Sequence, residues 1–161
     1  MGGDPRGQVG RVSASIPSPD PSPPRRSVLP LPGRRHLPGE GPHPAAEGFV
    51  AVADWDWACD LFDHRYYWEA HEAWEAAWAP LRRTSPEARF LQGLICGAAF
   101  VIKHHQGRHG GAARLLERAR DHLTVATAAL GPRPRGIDVS AFLDSLEAFR
   151  TGGAWPILPD G

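Results

Sequence analysis

The chain has 161 residues, with 18 basic and 18 acidic side chains and a formal net charge of zero. That balance excludes the broad basic field that draws proteins to nucleic acid, and no nucleic-acid partner is expected. No stretch approaches the ~20 apolar residues of a membrane span, and the first residues lack the apolar core of a secretory signal, so the expectation is a cytoplasmic protein without membrane contact.

The elements follow in chain order. Residues 1–45 form a leader that holds most of the 17 prolines, many Arg and Ser, and few large apolar residues. Such a segment buries too little apolar surface to offset the entropy of ordering it, and it is expected to be mostly disordered. Its last part, Leu29–Pro44, can instead lie as an extended strap, because Leu29, Leu31 and Leu37 offer apolar contacts and proline favours polyproline-like backbone. His36 and His43 lie on this strap.

A helical domain is expected over residues 46–151. Val50, Ala53, Trp57 and Leu61 recur at helical spacing and predict a first helix over Phe49–Asp63. His64-Arg65 is a short connection. A second helix runs from Tyr66 to Ala79, where Pro80 ends it. Thr84-Ser85-Pro86-Glu87 offers a cap hydroxyl, a first-turn proline and a Glu placed for a capping box, so a third helix starts there and runs to about His105. Gly110-Gly111 opens a fourth helix with an apolar stripe of Ala112, Leu116, Ala119, Leu123, Ala126 and Leu130. Asp138 or Ser140 caps a fifth, and residues 152–161 form a loose tail from which Trp155 can dock. Short connections favour antiparallel neighbours, so the fold class is all-α, a compact bundle of four to five helices behind a disordered or extended leader. Cys59 and Cys96 sit inside apolar helical patterns and are expected as buried thiols.

The segment Tyr66–Trp78 carries the chemistry. Residues three and four apart share a helix face, so Trp68, His71, Glu75 and Trp78 form one line with Glu72 at its edge. Trp74 lies on another side, and Glu69 is expected in solvent. A His and a Glu one turn apart can share a metal ion or a proton. An antiparallel third helix brings Gln92 level with Glu72 and Glu75, and sets Gly93 and Gly97 opposite His71 and Trp68, where they make room for an indole or a close helix approach. Trp68, His71, Glu72, Glu75, Trp78 and Gln92 are therefore the candidate ligand-binding residues. The run His71-Glu72-Ala73-Trp74-Glu75 has Glu where the zincin pattern places its second His, which argues against a metalloprotease.

At these residues the chain resembles the domain of unknown function 309 family. The resemblance rests on Leu61-Phe62, on Tyr67-Trp68-Glu69-Ala70-His71-Glu72 with Trp74-Glu75 and Trp78, on Phe90-Leu91-Gln92-Gly93-Leu94-Ile95 with Ala98-Ala99, and on Gly110-Gly111-Ala112 with Leu115-Leu116, Ala119 and Leu123. It covers about Trp55 to Leu130. It implies an all-α bundle and polar family positions at His71, Glu72, Glu75 and Gln92, and it implies no established activity. The chain departs from it at His64-Arg65, where a Gly turn is common, and at Cys96-Gly97, where a Gln is common after Ile95.

Three functional readings remain open. The first is a pocket between the second and third helices that binds a small polar molecule or a metal ion. If it is catalytic, hydrolytic or proton-transfer chemistry fits, with Glu72 or Glu75 tuning His71 as a base. The second is a metal-assisted hydrolase using His71 and Glu75, with a third ligand from His36, His43 or His104. The third is a non-catalytic protein-interaction module in which the His/Glu pair is a structural clasp.

Overall fold

The computed structural model describes residues 15–160. Five α-helices follow in order: α1 (Trp55–Asp63), α2 (Tyr67–Trp78), α3 (Pro86–His105), α4 (His109–Leu130) and α5 (Val139–Arg150). Short 3-10 turns lie at Pro44–Glu47 and Pro134–Gly136. Helix α3 is central: it packs against α2 on one side and α4 on the other, α1 packs on α2, and α5 touches both α3 and α4. Among the described residues the β-structure is confined to the isolated bridges Leu37–Glu40 and Ile137–Asp160. None of the described helices is long and apolar enough to cross a membrane.

Caps decide where the helices begin. The first helix starts at Trp55, not at Phe49, because the Asp54 carboxylate accepts the backbone N–H of Trp57 at 2.7 Å. Val50 and Val52 before it are exposed, so the apolar spacing there does not mark a buried helical face. Helix α3 begins where the sequence places it, but Ser85 is the cap, accepting from the Ala88 backbone at 3.1 Å. Glu87 is then one position short of closing a capping box and pairs instead with Arg135. On α4 the stripe Ala112, Leu116, Ala119, Leu123 and Ala126 is buried as its period implies, while Leu130 at its end is exposed. Asp138, rather than Ser140, caps α5 through the Ala141 N–H. Cys59 and Cys96 are buried free thiols.

The two glycines of α3 serve helix approach and not the indoles of α2. A Cβ on Gly93 would lie 2.4 Å from Leu123 Cγ of α4, and one on Gly97 would lie 2.9 Å from Phe142 Cζ of α5. Both separations are far inside van der Waals contact, so α3, α4 and α5 can pack this closely only where α3 lacks side chains.

The described part of the leader takes the extended course. Ile16 and Leu37 are buried in the core, and Leu29 and Leu31 pack against it. The strap has few hydrogen bonds of its own, so its polar groups find partners on the helices. Trp57 Nε1 donates to the Pro30 carbonyl at 3.2 Å and the Tyr66 hydroxyl to the Pro32 carbonyl at 2.9 Å. Arg35 donates to the His64 carbonyl and lies over the Tyr66 ring. Fully buried Asp60 accepts from Arg25 Nε at 2.8 Å and from the backbone N–H groups of Arg26 and Ser27 at 2.8 and 2.9 Å. Burial alone would raise the Asp60 carboxyl, but these three donors and the Arg25 charge outweigh it and hold the group below its ordinary range.

The C-terminal segment, expected loose, is tied down. Trp155 stacks on Tyr67 and packs on Phe149, the Tyr67 hydroxyl donates to the Pro156 carbonyl at 3.0 Å, and the Leu158 N–H donates to Asp63 at 2.7 Å. Buried Leu158 anchors the segment in the core, contributing an apolar contact that the Gly152-Gly153 start conceals.

A test of the α3–α4 packing follows from the glycines. Gly93→Ala should lower the unfolding free energy by about 1–3 kcal/mol, the usual effect of overpacking. Gly110→Ala, in open space on α4, should raise it by about 0.5–1 kcal/mol through helix propensity. Urea denaturation of both variants beside the parent protein measures the difference, and equal stabilities for the two variants would refute the close approach.

Candidate functional site

Helix α2 carries two polar faces with opposite fates. The chain reaches it through Arg65, whose φ of 69° is the left-handed geometry that glycine adopts most easily. This is the turn where the family resemblance calls for Gly; here Arg65 also donates to the Pro17 carbonyl at 3.1 Å. From that turn α2 runs with Ala70, Ala73 and Trp74 buried toward the core, Trp74 packing on Phe62.

On the open face, His71, Glu72 and Glu75 come together. His71 Nδ1 lies 3.4 Å from a Glu72 carboxylate oxygen, and His71 Nε2 lies 3.5 Å from a Glu75 carboxylate oxygen. One ligand atom from each of the three lies within 4.8 Å of the others, and all three side chains are half-buried, with Glu75 the most open at 46%. Each ring nitrogen faces one carboxylate. The group can hold a proton between two negative charges, or it can gather around one cation after a small side-chain rotation. His71 Nδ1 is itself buried and makes no hydrogen bond.

The remaining predicted residues divide around this group. Gln92 is on α3. Helix α3 packs against α2, and Ala73 and Ala77 of α2 line one cleft together with Glu87 and Leu91 of α3. Gln92 Oε1 is buried without a partner, while its side chain hydrogen-bonds the Cys96 thiol. Trp68 packs edge-on against His36 and His43, with ring centroids 4.8 and 5.4 Å away, and also meets Phe49. Trp78 receives the Arg83 guanidinium 3.4 Å over its ring. His104 sits at the far end of α3 beside His109, Phe100 and Phe149. Among the described residues the third donor to the His71–Glu75 pair is therefore Glu72, from the same helix, and not His36, His43 or His104.

Glu69 is the residue that the sequence misplaces. It is 1% exposed rather than solvated, because the strap covers its face of α2. One of its carboxylate oxygens accepts the backbone N–H of His36 at 2.7 Å, and the other, Oε2, is buried with no partner. Burial pushes its carboxyl up to about 7, against the opposing pull of the hydrogen bonds and of Arg35 and Arg34. Buried His36 above it also has an unpartnered Nδ1, and its imidazole is drawn down by burial, with the charge of Arg34 adding to it. Asp63, at the end of α1, is likewise raised by burial to about 6 while it holds the Leu158 N–H. The signal for Glu69 was the strap: once the prolines before His36 are laid along α1 and α2, the polar face of α2 is no longer free.

Compared with known proteins, residues 55–115 match the model of the family described as Domain of unknown function (DUF309), from the start of α1 into α4, including the His71–Glu72–Glu75 group and Gln92. Neither a curated protein nor a solved structure matches the chain.

The raised carboxyl of Glu69 makes a prediction about pH. The unfolded chain releases this proton near the ordinary value of ~4.3, whereas the folded chain holds it to about 7. Between these values the native state binds the extra proton, so this group's contribution to stability falls as pH rises. Glu69→Gln cannot ionise. From about pH 4.5 to about pH 8 the unfolding free energy of the variant should gain roughly 3 kcal/mol on that of the parent. Urea titrations at both pH values measure the gain, and parallel behaviour would show that the carboxyl is not desolvated.

Proposed function

We propose, from the premise that this chain belongs to the domain of unknown function 309 family through residues 55–115, that α2 presents a divalent-cation site in which His71, Glu72 and Glu75 are the ligands. The observation that carries this reading is the convergence of one imidazole and two carboxylates within 4.8 Å on the open face of α2. Mixed nitrogen and oxygen donors suit zinc or manganese. Three protein ligands leave coordination positions for water and for a small polar molecule. His71, Glu72 and Glu75 would hold such a cation, and it would supply the chemistry of metal-assisted hydrolysis, an activated water and a polarised carbonyl or phosphoryl oxygen. Gln92 of the neighbouring helix α3, whose buried Oε1 has no hydrogen-bond partner, would accept a hydrogen bond from a water or ligand bound there. Trp68 and Trp78 then flank the ends of the group along the helix.

Magnitude disfavours the clasp reading. A part-exposed His/Glu pair one helical turn apart contributes about 0.3–0.5 kcal/mol, whereas a clasp worth keeping for stability alone has to be sealed. His71 and Glu75 are 23% and 46% exposed and lie on one helix, so they join no two elements.

Calorimetric titration with zinc and with manganese should show one ion bound per chain, with affinity falling as pH is lowered because the ligands must lose their protons. His71→Ala should abolish binding and Glu75→Gln should weaken it at least tenfold. Without metal, both variants should unfold within about 1 kcal/mol of the parent. No binding by the parent protein, together with a loss of several kcal/mol in His71→Ala, would replace the cation site with the clasp.

A further inference from the structure

Along the Glu69 face of α2, the strap does not lie flat. It leaves a cavity of about 330 Å³, whose walls include Leu29, Leu31, Phe49, Val52 and Trp57, and which reaches Glu69. The volume is in the range of small-molecule pockets. Its lining joins an apolar, partly aromatic wall to one carboxylate that is 1% exposed. That carboxylate is half satisfied: Oε1 accepts the His36 N–H at 2.7 Å, and buried Oε2 accepts nothing. A buried acceptor without a donor is unfavourable, and natural proteins leave few of them. The other charges at the cavity cancel, because Arg34 is bound to Glu47 with Nε 2.8 Å from the carboxylate. Among the described residues Glu69 belongs to no cluster of side chains that could hold a metal ion, and Glu47, the other acid at this cavity, is committed to Arg34.

We propose that this cleft between the strap and helices α1 and α2 binds a small organic amine, with an N–H of its ammonium donating to Glu69 Oε2 and its apolar body laid between Leu29, Leu31, Phe49 and Trp57. An ammonium supplies what the orphan oxygen lacks, and a charge-assisted hydrogen bond in an apolar enclosure is about twice as strong as a neutral one. The apolar surface continues to the mouth, where Val50 and Val52 are 70% and 44% exposed and line the opening. A ligand with an alkyl or aryl body covers these side chains, whereas a bare ammonium ion does not.

The test is calorimetric titration of the full chain with phenethylamine at about pH 8, beside 2-phenylethanol, which has the same body and no charge. The amine should bind saturably at one site, and the alcohol at least tenfold more weakly. Glu69→Gln should bring the amine down to the level of the alcohol. Val52→Arg, at an exposed position that leaves the fold intact, should weaken the amine at least fivefold by placing a like charge at the mouth, and it keeps the test decisive if the Glu69 variant folds poorly. His71→Ala should leave amine binding unchanged, which separates this cleft from the cation site. The proposal is overturned if the amine does not bind the parent protein, if amine and alcohol bind alike, or if Val52→Arg has no effect.

Discussion

Carboxylates buried on two helices hold together the parts of this chain that have no regular structure. A proline-rich strand leaves its remaining N–H groups without ladder or helix partners, and covering a protein with such a strand would strand those donors away from water. Here they meet ready acceptors: Asp60 takes Arg26 and Ser27, Glu69 takes His36, and Asp63 takes Leu158 from the other end of the chain. Three acidic side chains on α1 and α2 thus do for the strap and the tail what a neighbouring strand does in a sheet. The price is desolvation, visible in the raised carboxyls of Asp63 and Glu69, and it is fully offset only at Asp60, where an arginine joins the backbone donors.

This arrangement gives α2 its two characters. One side is covered by the strap and keeps a carboxyl in an apolar setting, where its charge is costly and any donor it meets is strongly held. The other side is open, and there a similar residue type, in Glu72 and Glu75, stands around an imidazole with water at hand. Glutamates within two turns of one helix are therefore set to different chemistry by what covers them. Trp68 stands at the border, its ring touching the strap histidines while its neighbours along the helix face outward.

What the sequence revealed follows the range of the forces involved. The helix α3 start, the α4 stripe and the His71–Glu75 line are local features, fixed within one or two turns by a cap, a period or an i,i+4 spacing, and they stand in the structure at the residues that encode them. The misreadings depend on distant chain. Glu69 looks solvated on a helical wheel because the wheel does not include residues some thirty positions earlier that lie on top of it. Phe49–Ala53 continues the period of α1, yet Asp54 takes the Trp57 N–H and ends the helix first. Gly93 and Gly97 signal a close approach, but spacing alone does not say that the approaching partners are Leu123 and Phe142 rather than an indole.

The guanidinium of Arg26 reaches both Asp63 on α1 and Asp160 near the far terminus, a closure across 134 positions. As the polypeptide leaves the ribosome, the helices can assemble in order of synthesis, but this fastening has to wait until Asp160 has emerged. Until then the early segment has only part of its final attachment, and a nascent-chain-binding factor or a protease would meet it in that interval and not afterwards.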